Sequence, residues 1–176
     1  PHVLVMTATP IPRTLAMSIY GDLDFSVIRE LPPGRKKIKT FLMGENNRLK
    51  LFKFLREQIQ LGKQIFIVYP LIEESQKMDY KDLMDGYESV CREFPLPKYR
   101  ISIMHGKMKT EDKDYEMKRF LQGKSQIMVS TTVIEVGVNI PNANVMVIES
   151  SERFGLSQLH QLRGRVGRGS EQSFCI

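Results

Sequence analysis

Five short apolar runs, at residues 3–6, 65–68, 101–104 (broken only by Ser102), 127–129 and 145–148, constrain this chain more than any other feature. Such runs suit strands covered on both faces, as in a parallel sheet. Between them lie helical patterns. Leu51, Phe52, Leu55 and Ile59 fall on one side of a helix that Asn46 or Asn47 can cap and Gly62 can end. Thr110 can cap another, with Glu111 and Asp112 in its first turn, Met117, Phe120 and Leu121 as its apolar stripe and Gly123 as its stop. A further helix opens at Pro10-Ile-Pro12 and runs through Tyr20. Strand alternating with helix predicts an α/β fold: a parallel sheet flanked by helices, joined by right-handed crossovers.

At 176 residues the chain can form one domain with a real core, or one domain plus part of another. Lys and Arg outnumber Asp and Glu by 26 to 20, a net charge of +6 that suits a polyanionic partner without proving one. Cys91 and Cys175 show no pairing pattern of a disulfide-stapled fold, which points to a reducing cytoplasm. His2, His105 and His160 are not spaced with Cys or acidic residues as a zinc site requires, so no protein-bound metal is assigned. No apolar run approaches the ~20 residues that cross a bilayer, and no signal peptide opens the chain, so a soluble protein is expected. The sequence starts at Pro1, directly before an apolar run, and reads as a piece of something longer. Leu31-Pro-Pro-Gly-Arg-Lys-Lys37 has the chemistry of a linker. It divides a tail of a preceding domain (1–30) and a connection (31–37) from a nearly whole second domain (38–176).

Four segments carry candidate chemistry. Gln161-Leu-Arg-Gly-Arg-Val-Gly-Arg168 packs three arginines and two glycines into eight residues. If helical throughout, it projects Gln161, Arg165 and Arg168 from one face, kept low by Gly164 and Gly167. A guanidinium stays charged at any working pH and presents a planar fork of donors to phosphate oxygens, which suits a phosphoryl-transfer transition state. The plain alternative is a solvated basic helix end. Thr7-Ala-Thr-Pro10 follows the first strand, where open α/β sheets place their ligands, or else Thr9 simply caps a helix. Ser130-Thr-Thr132 follows the run at 127–129 in the same way and leads through Glu135, Gly137, Asn139 and Pro141. Its hydroxyls and backbone N–H groups can hold nucleic-acid phosphates, or Thr131 or Thr132 can cap a helix. His105-Gly106-Lys107 is a third polar loop after a strand, and a parallel sheet opens all three at one edge.

A nucleotide cradle is nearly offered by Gly123-Lys-Ser125, but the first glycine of a P-loop would have to be residue 118, which is Lys118. The segment also lies after a helix and before a strand, the reverse of what that loop needs. Glu73-Glu74 is the nearest thing to a magnesium-holding acidic pair and reads as solvated.

Taken in order, Thr7-Ala-Thr9, the stretch from Val129 to Pro141 and the stretch from Gln161 to Arg168 resemble motifs III, V and VI of superfamily 2 helicases and translocases. Met6-Thr-Ala-Thr-Pro-Ile-Pro-Arg-Thr-Leu15, Tyr20-Gly-Asp-Leu-Asp24, Leu31-Pro-Pro-Gly-Arg-Lys36, Tyr69-Pro-Leu-Ile-Glu-Glu-Ser75, Met104-His-Gly-Lys-Met108 and Glu152-Arg-Phe-Gly-Leu156 resemble the RecG ATP-dependent DNA helicases across nearly the whole chain. The transcription-repair coupling translocase shares two of the blocks and is the runner-up. The resemblance implies a RecA-like second motor lobe, preceded by the end of the first, in a bacterial, cytoplasmic, nucleoid-associated monomer that couples ATP hydrolysis to movement on duplex DNA. Its partners would be branched or duplex DNA and the first lobe and wedge domain of the same polypeptide. ATP and Mg2+ would be held mainly by the first lobe, which carries the P-loop, so the 176 residues alone would be inactive. Arg165 and Arg168, with Gln161 in support, would face the β/γ-phosphates. Gly137 and Asn139 would line the nucleotide side; many relatives have Asp at position 139, and Asn keeps a hydrogen-bonding side chain without the charge. Ser130, Thr131, Thr132, His105 and Gly106 would touch DNA, and Thr7 and Thr9 would couple the lobes. A different class is a non-catalytic RecA-like nucleic-acid-binding or scaffold module, which has no need of the arginine spacing.

Overall fold

The computed structural model describes Ser26, Ile28 and residues 34–70, 76–131 and 142–176, without the side chains of 76–79. Strands β1 (Lys39–Thr40), β2 (Gln64–Tyr69), β3 (Ile101–Met104), β4 (Ile127–Thr131), β5 (Ala143–Ile148) and β6 (Phe174–Cys175) form one sheet in the order β1-β6-β5-β2-β4-β3. Every pairing is parallel, as the apolar runs predict. The helices are α1 (Arg48–Gln60), α2 (Gln76–Glu93), α3 (Thr110–Leu121) and α4 (Leu156–Arg163), with 3-10 turns at Glu45–Asn47 and Ser151–Arg153. Among the described residues, no helix is long and apolar enough to cross a membrane.

The two faces of the sheet are covered by different helices. Ile65, Ile67 and Tyr69 of β2 pack with Leu51, Phe52 and Leu55 of α1 and with Leu83 and Val90 of α2. Phe66 and Val68, the alternate residues, pack with Phe120 of α3 and Leu162 of α4 on the other side. β2, β4 and β5 are buried along their whole length, whereas β3, at the sheet edge, buries only Ser102 and Met104. Three buried polar side chains, Gln64, Ser102 and Ser125, are paired across elements. Gln64 Nε2 donates to the carbonyls of Phe120 (2.6 Å) and Ser125 (2.9 Å), and the Ser102 and Ser125 hydroxyls lie 2.8 Å apart. Gly123-Lys-Ser125 therefore stands between the end of α3 and the start of β4, with Ser125 buried, which agrees with its rejection as a phosphate cradle.

Helix ends depart from the sequence reading in detail. Asn47 stands at the cap position of α1 but makes no side-chain capping bond, because the 3-10 turn of 45–47 already feeds the helix. Thr110 is the first residue of α3, and Lys109 is its cap. Leu121 is 43% exposed at the last residue of that helix; Met117 and Phe120 carry the core contact. Gly62 and Gly123 do end their helices, at φ +78° and +69°, where a Cβ would be strained.

Candidate nucleotide and nucleic-acid sites

The arginine block is built by a helix that stops early. Gln158 Oε1 accepts from the Gly155 N–H at 3.1 Å, closing the first turn of α4. The helix ends at Arg163, so the expectation that one helical face carries Gln161, Arg165 and Arg168 is corrected. Gly164 receives the chain, bonding its N–H to the His160 carbonyl at 3.1 Å, and Arg165 N–H reaches the Leu162 carbonyl at 3.0 Å in a tightening turn. Gly167 then adopts φ +73°, a left-handed conformation that turns the backbone before Arg168. Gln161 is thus on the helix, while Arg165 and Arg168 project from the loop beyond it.

Two buried residues fix that loop. Leu162 and Val166 insert into the core, so Arg165 between them and Arg168 beyond them start from an anchored backbone. Gly167 lies against Ile38, and a Cβ at 167 would come within 2.9 Å of Ile38 Cγ1. Arg35 Nε donates to the Gly167 carbonyl at 2.6 Å. Burial first, and after it the charges of Arg165 and Arg35, push the Arg168 guanidinium below its usual value, although an arginine remains charged at any working pH. Among the described residues no carboxylate comes within ion-pair distance of Arg35, Arg165 or Arg168, while five other cations do have such partners. Three guanidiniums gathered without an acid form a site for an anion with several oxygens. Sequence reading treated Arg35 as part of a linker and so missed it; the only signal was an arginine inside the Leu31-Pro-Pro-Gly-Arg-Lys36 block.

A second group of residues lies at the carboxyl edge of the sheet, where the strands of a parallel sheet end together. His105 directly follows β3, its Nδ1 is buried with no hydrogen-bond partner among the described residues, and its ring meets Tyr80 of α2 edge to face at 5.1 Å. Lys107 Nζ sits 4.5 Å from the Tyr80 ring centroid, and Lys113 Nζ donates to the Gly106 carbonyl at 3.3 Å. Burial, then Lys107 and Lys113, lower the His105 pKa. Tyr80 is 37% exposed beside these cations, an aromatic platform that the sequence did not advertise.

Ser130 and Thr131 were expected in a loop, yet both belong to β4 and are buried, at 0% and 4% exposure. The physical reason is the pairing Val68↔Ser130 and Tyr69↔Thr131, which extends the strand two residues beyond its apolar run. Ser130 Oγ has no partner among the described residues. Thr7, Thr9, Thr132, Gly137 and Asn139 lie outside the described residues, as do Glu73 and Glu74. The structure thus brings Arg165 and Arg168 together with Arg35 and places His105 and Gly106 on a different loop, after β3.

These features define the class. The chain belongs to the helicase conserved C-terminal domain family, whose model matches residues 48–170. The chain is similar to the ATP-dependent DNA helicase RecG of Thermotoga maritima, 52% identical over 98% of this chain and 22% of that protein. RecG of Bacillus subtilis is 51% identical over 100% of this chain and 26% of its own length. The chain therefore spans about a quarter or less of these relatives. A solved structure of RecG bound to a three-way DNA junction superposes with a TM-score of 0.75 at 49% identity, covering 96% of this chain and 21% of that one. Domain 2 of the Mss116p DEAD-box helicase, at 21% identity and a TM-score of 0.58 over 74% of this chain and 48% of its own, shares the fold.

Proposed function

We propose that this chain is the second RecA-like lobe of an ATP-dependent DNA helicase that remodels branched DNA in recombination and repair. The observation that carries the reading is the gathering of Arg165 and Arg168 on a core-anchored turn with no acidic partner among the described residues. Such a turn fits the β/γ-phosphates of ATP presented by a preceding lobe, where fixed positive charge stabilises the charge that develops in transfer. Gln161, one turn earlier on α4, would support them. Gly137 and Asn139 are assigned to the nucleotide side and Thr7 and Thr9 to coupling between lobes. Residues 1–30 are assigned to the end of the first lobe, 31–37 to the connection and 38–176 to the second lobe.

Mg2+ belongs to the same reading and would be held by the preceding lobe, since the described residues contain no group of three or more His, Cys, Asp or Glu that could hold a metal ion. Similarity to a RecG bound to a three-way DNA junction supports DNA as the track. The loop of His105 and Gly106, with Lys107 and Lys113 beside it, is the part of this lobe offered to the phosphate backbone. Ser130, Thr131 and Thr132 stay candidates there, and the first two must be uncovered to touch it.

ATP turnover by the whole protein, compared on forked DNA, linear duplex and single-stranded RNA, tests the proposal. Greatest stimulation by the fork is the expected result. Stimulation by plain duplex alone would favour a coupling translocase, and none at all would favour a scaffold.

A further inference from the structure

Arg35 lies in the segment that leads into the lobe, 132 residues before Gly167 in sequence, yet it reaches the carbonyl of Gly167 at 2.6 Å. That carbonyl shares a rigid peptide plane with the N–H of Arg168, so fixing the direction of one fixes the starting direction of the other. The left-handed Gly167 has no side chain of its own to hold the plane. Something else must.

The segment carrying Arg35 is itself secured. Ile38 packs on Gly167, Lys39 N–H bonds the Ser173 carbonyl at 3.0 Å, Phe41 N–H bonds the Cys175 carbonyl at 2.8 Å, and Gln172 Nε2 returns to the Lys37 carbonyl at 2.9 Å. Lys39 and Thr40 pair in register with Phe174 and Cys175. Arg35 therefore acts from a strap laid along β6, not from a free tail. Gathering a third guanidinium close to Arg165 and Arg168 opposes like charges, which makes little sense for stability alone.

We infer that Arg35 is a positioning residue: by holding the Gly167 carbonyl it aims Arg168 at the nucleotide, and it makes the strap at 35–41 the mechanical link between the inter-lobe connection and the arginine turn. The inference rests on the proposed role of Arg168. It predicts that movement of the connection is felt at the turn through one hydrogen bond and one apolar contact.

The test uses the whole protein with saturating forked DNA and four variants: Arg35→Ala, Arg35→Lys, Arg168→Ala and the double Arg35→Ala/Arg168→Ala. Arg35→Ala is expected to lower kcat on the order of 10- to 100-fold, as a misplaced group does, with the KM for ATP, the Kd for the fork and Tm little changed. In the Arg168→Ala background the same change should have almost no further effect, because its target is gone. Arg35→Lys, which keeps the charge but replaces the planar Nε–H with a flexible ammonium, should recover only part of the loss. Unaltered kcat in Arg35→Ala, losses that multiply in the double variant, or full recovery by lysine would each overturn the positioning role while leaving Arg168 in place. Normal turnover by Arg168→Ala would instead remove the finger reading and this inference with it. A large fall in Tm for Arg35→Ala would make the strap a purely structural brace and overturn the inference too.

Discussion

Gly86, in the middle of α2, lies directly on the hydroxyl of Tyr69 at the end of β2: a Cβ at position 86 would overlap the phenol oxygen and its ring carbons. A glycine inside a helix costs roughly 1 kcal/mol against alanine, so its presence here reflects how close α2 comes to the sheet. Tyr69 is buried with Arg48 and Glu149 near its hydroxyl, and burial followed by the Glu149 charge pushes its pKa up to about 12. Gly86→Ala is therefore expected to destabilise the protein by about 1–3 kcal/mol despite its better helix propensity. Tyr69→Phe should be near neutral and should relieve much of the Gly86→Ala penalty. Urea denaturation of both single variants and the double variant measures the coupling, and additive effects would show that the helix shifts away instead.

Arg48 and Glu149 tie the first turn of α1 to the residue after β5, Nη1 to Oε2 at 3.1 Å, with Arg48 also 5.3 Å from the Phe52 ring centroid. The pair is only partly exposed, at 35% and 19% of the side chains. Glu149→Gln should cost about 1 kcal/mol, more than the median surface pair because the acid is largely covered. Raising salt to 1 M should shrink the difference between the two proteins, since screening weakens what the charge adds. Unfolding midpoints with a salt-independent difference would assign the effect to packing.

His105 gives a pH dependence with a definite sign. Its folded pKa lies below the ordinary 6.5, by burial first and by Lys107 and Lys113 after it. The unfolded chain takes up the proton near pH 6.5 and the folded one only at lower pH, so in that window the unfolded state binds more protons. The contribution to stability is complete above about pH 6.5 and is lost as pH falls through the folded value. Between pH 7.5 and 5, the Tm of His105→Gln should drop less than that of the native protein. Parallel curves would remove His105 from the acid response.

The sequence made the centre of the sheet legible and left its margins obscure. Runs 65–68, 127–129 and 145–148 became β2, β4 and β5 because those strands are covered on both faces and leave no position for a polar residue to mark. β1 and β6 are two residues each, held by backbone pairing that no side-chain pattern records. The helix α2 carries Leu83, Val90 and, just beyond its end, Phe94 at core spacing, but Gly86 and the polar residues between them mask the period. At the candidate site, the arginine spacing pointed to Arg165 and Arg168 but to the wrong local shape, since the helix ends at Arg163. A helix continued to Arg168 would satisfy the spacing as well as the turn that Gly164 and Gly167 produce. Arg35 was out of reach, since linker composition says nothing about where a linker docks.

Arg168→Ala tests the finger directly. The guanidinium has no carboxylate to lose among the described residues, so its removal should leave Tm nearly unchanged. Turnover by the whole protein on forked DNA should fall by roughly 10³ to 10⁵, the range found for such arginines, with fork binding retained. Near-normal hydrolysis would move the role to Arg165 or elsewhere.

The 176 residues on their own are expected to hydrolyse no ATP. Their one near match to a phosphate cradle, Gly123-Lys-Ser125, follows α3 and precedes β4, so no helix N-terminus opens behind it to receive a phosphate. Ser125 is fully buried and shares a hydrogen bond with Ser102, which leaves its hydroxyl unavailable to a metal-bound nucleotide. Arg165 and Arg168 could stabilise transferred charge only on a nucleotide that another lobe presents, and positioning is most of what phosphoryl transfer requires of a protein. Phosphate release by purified chain, with and without forked DNA, should remain at the background of a matched Arg168→Ala preparation. Robust turnover that survives further purification and disappears in that variant would mean that this lobe binds the nucleotide by itself.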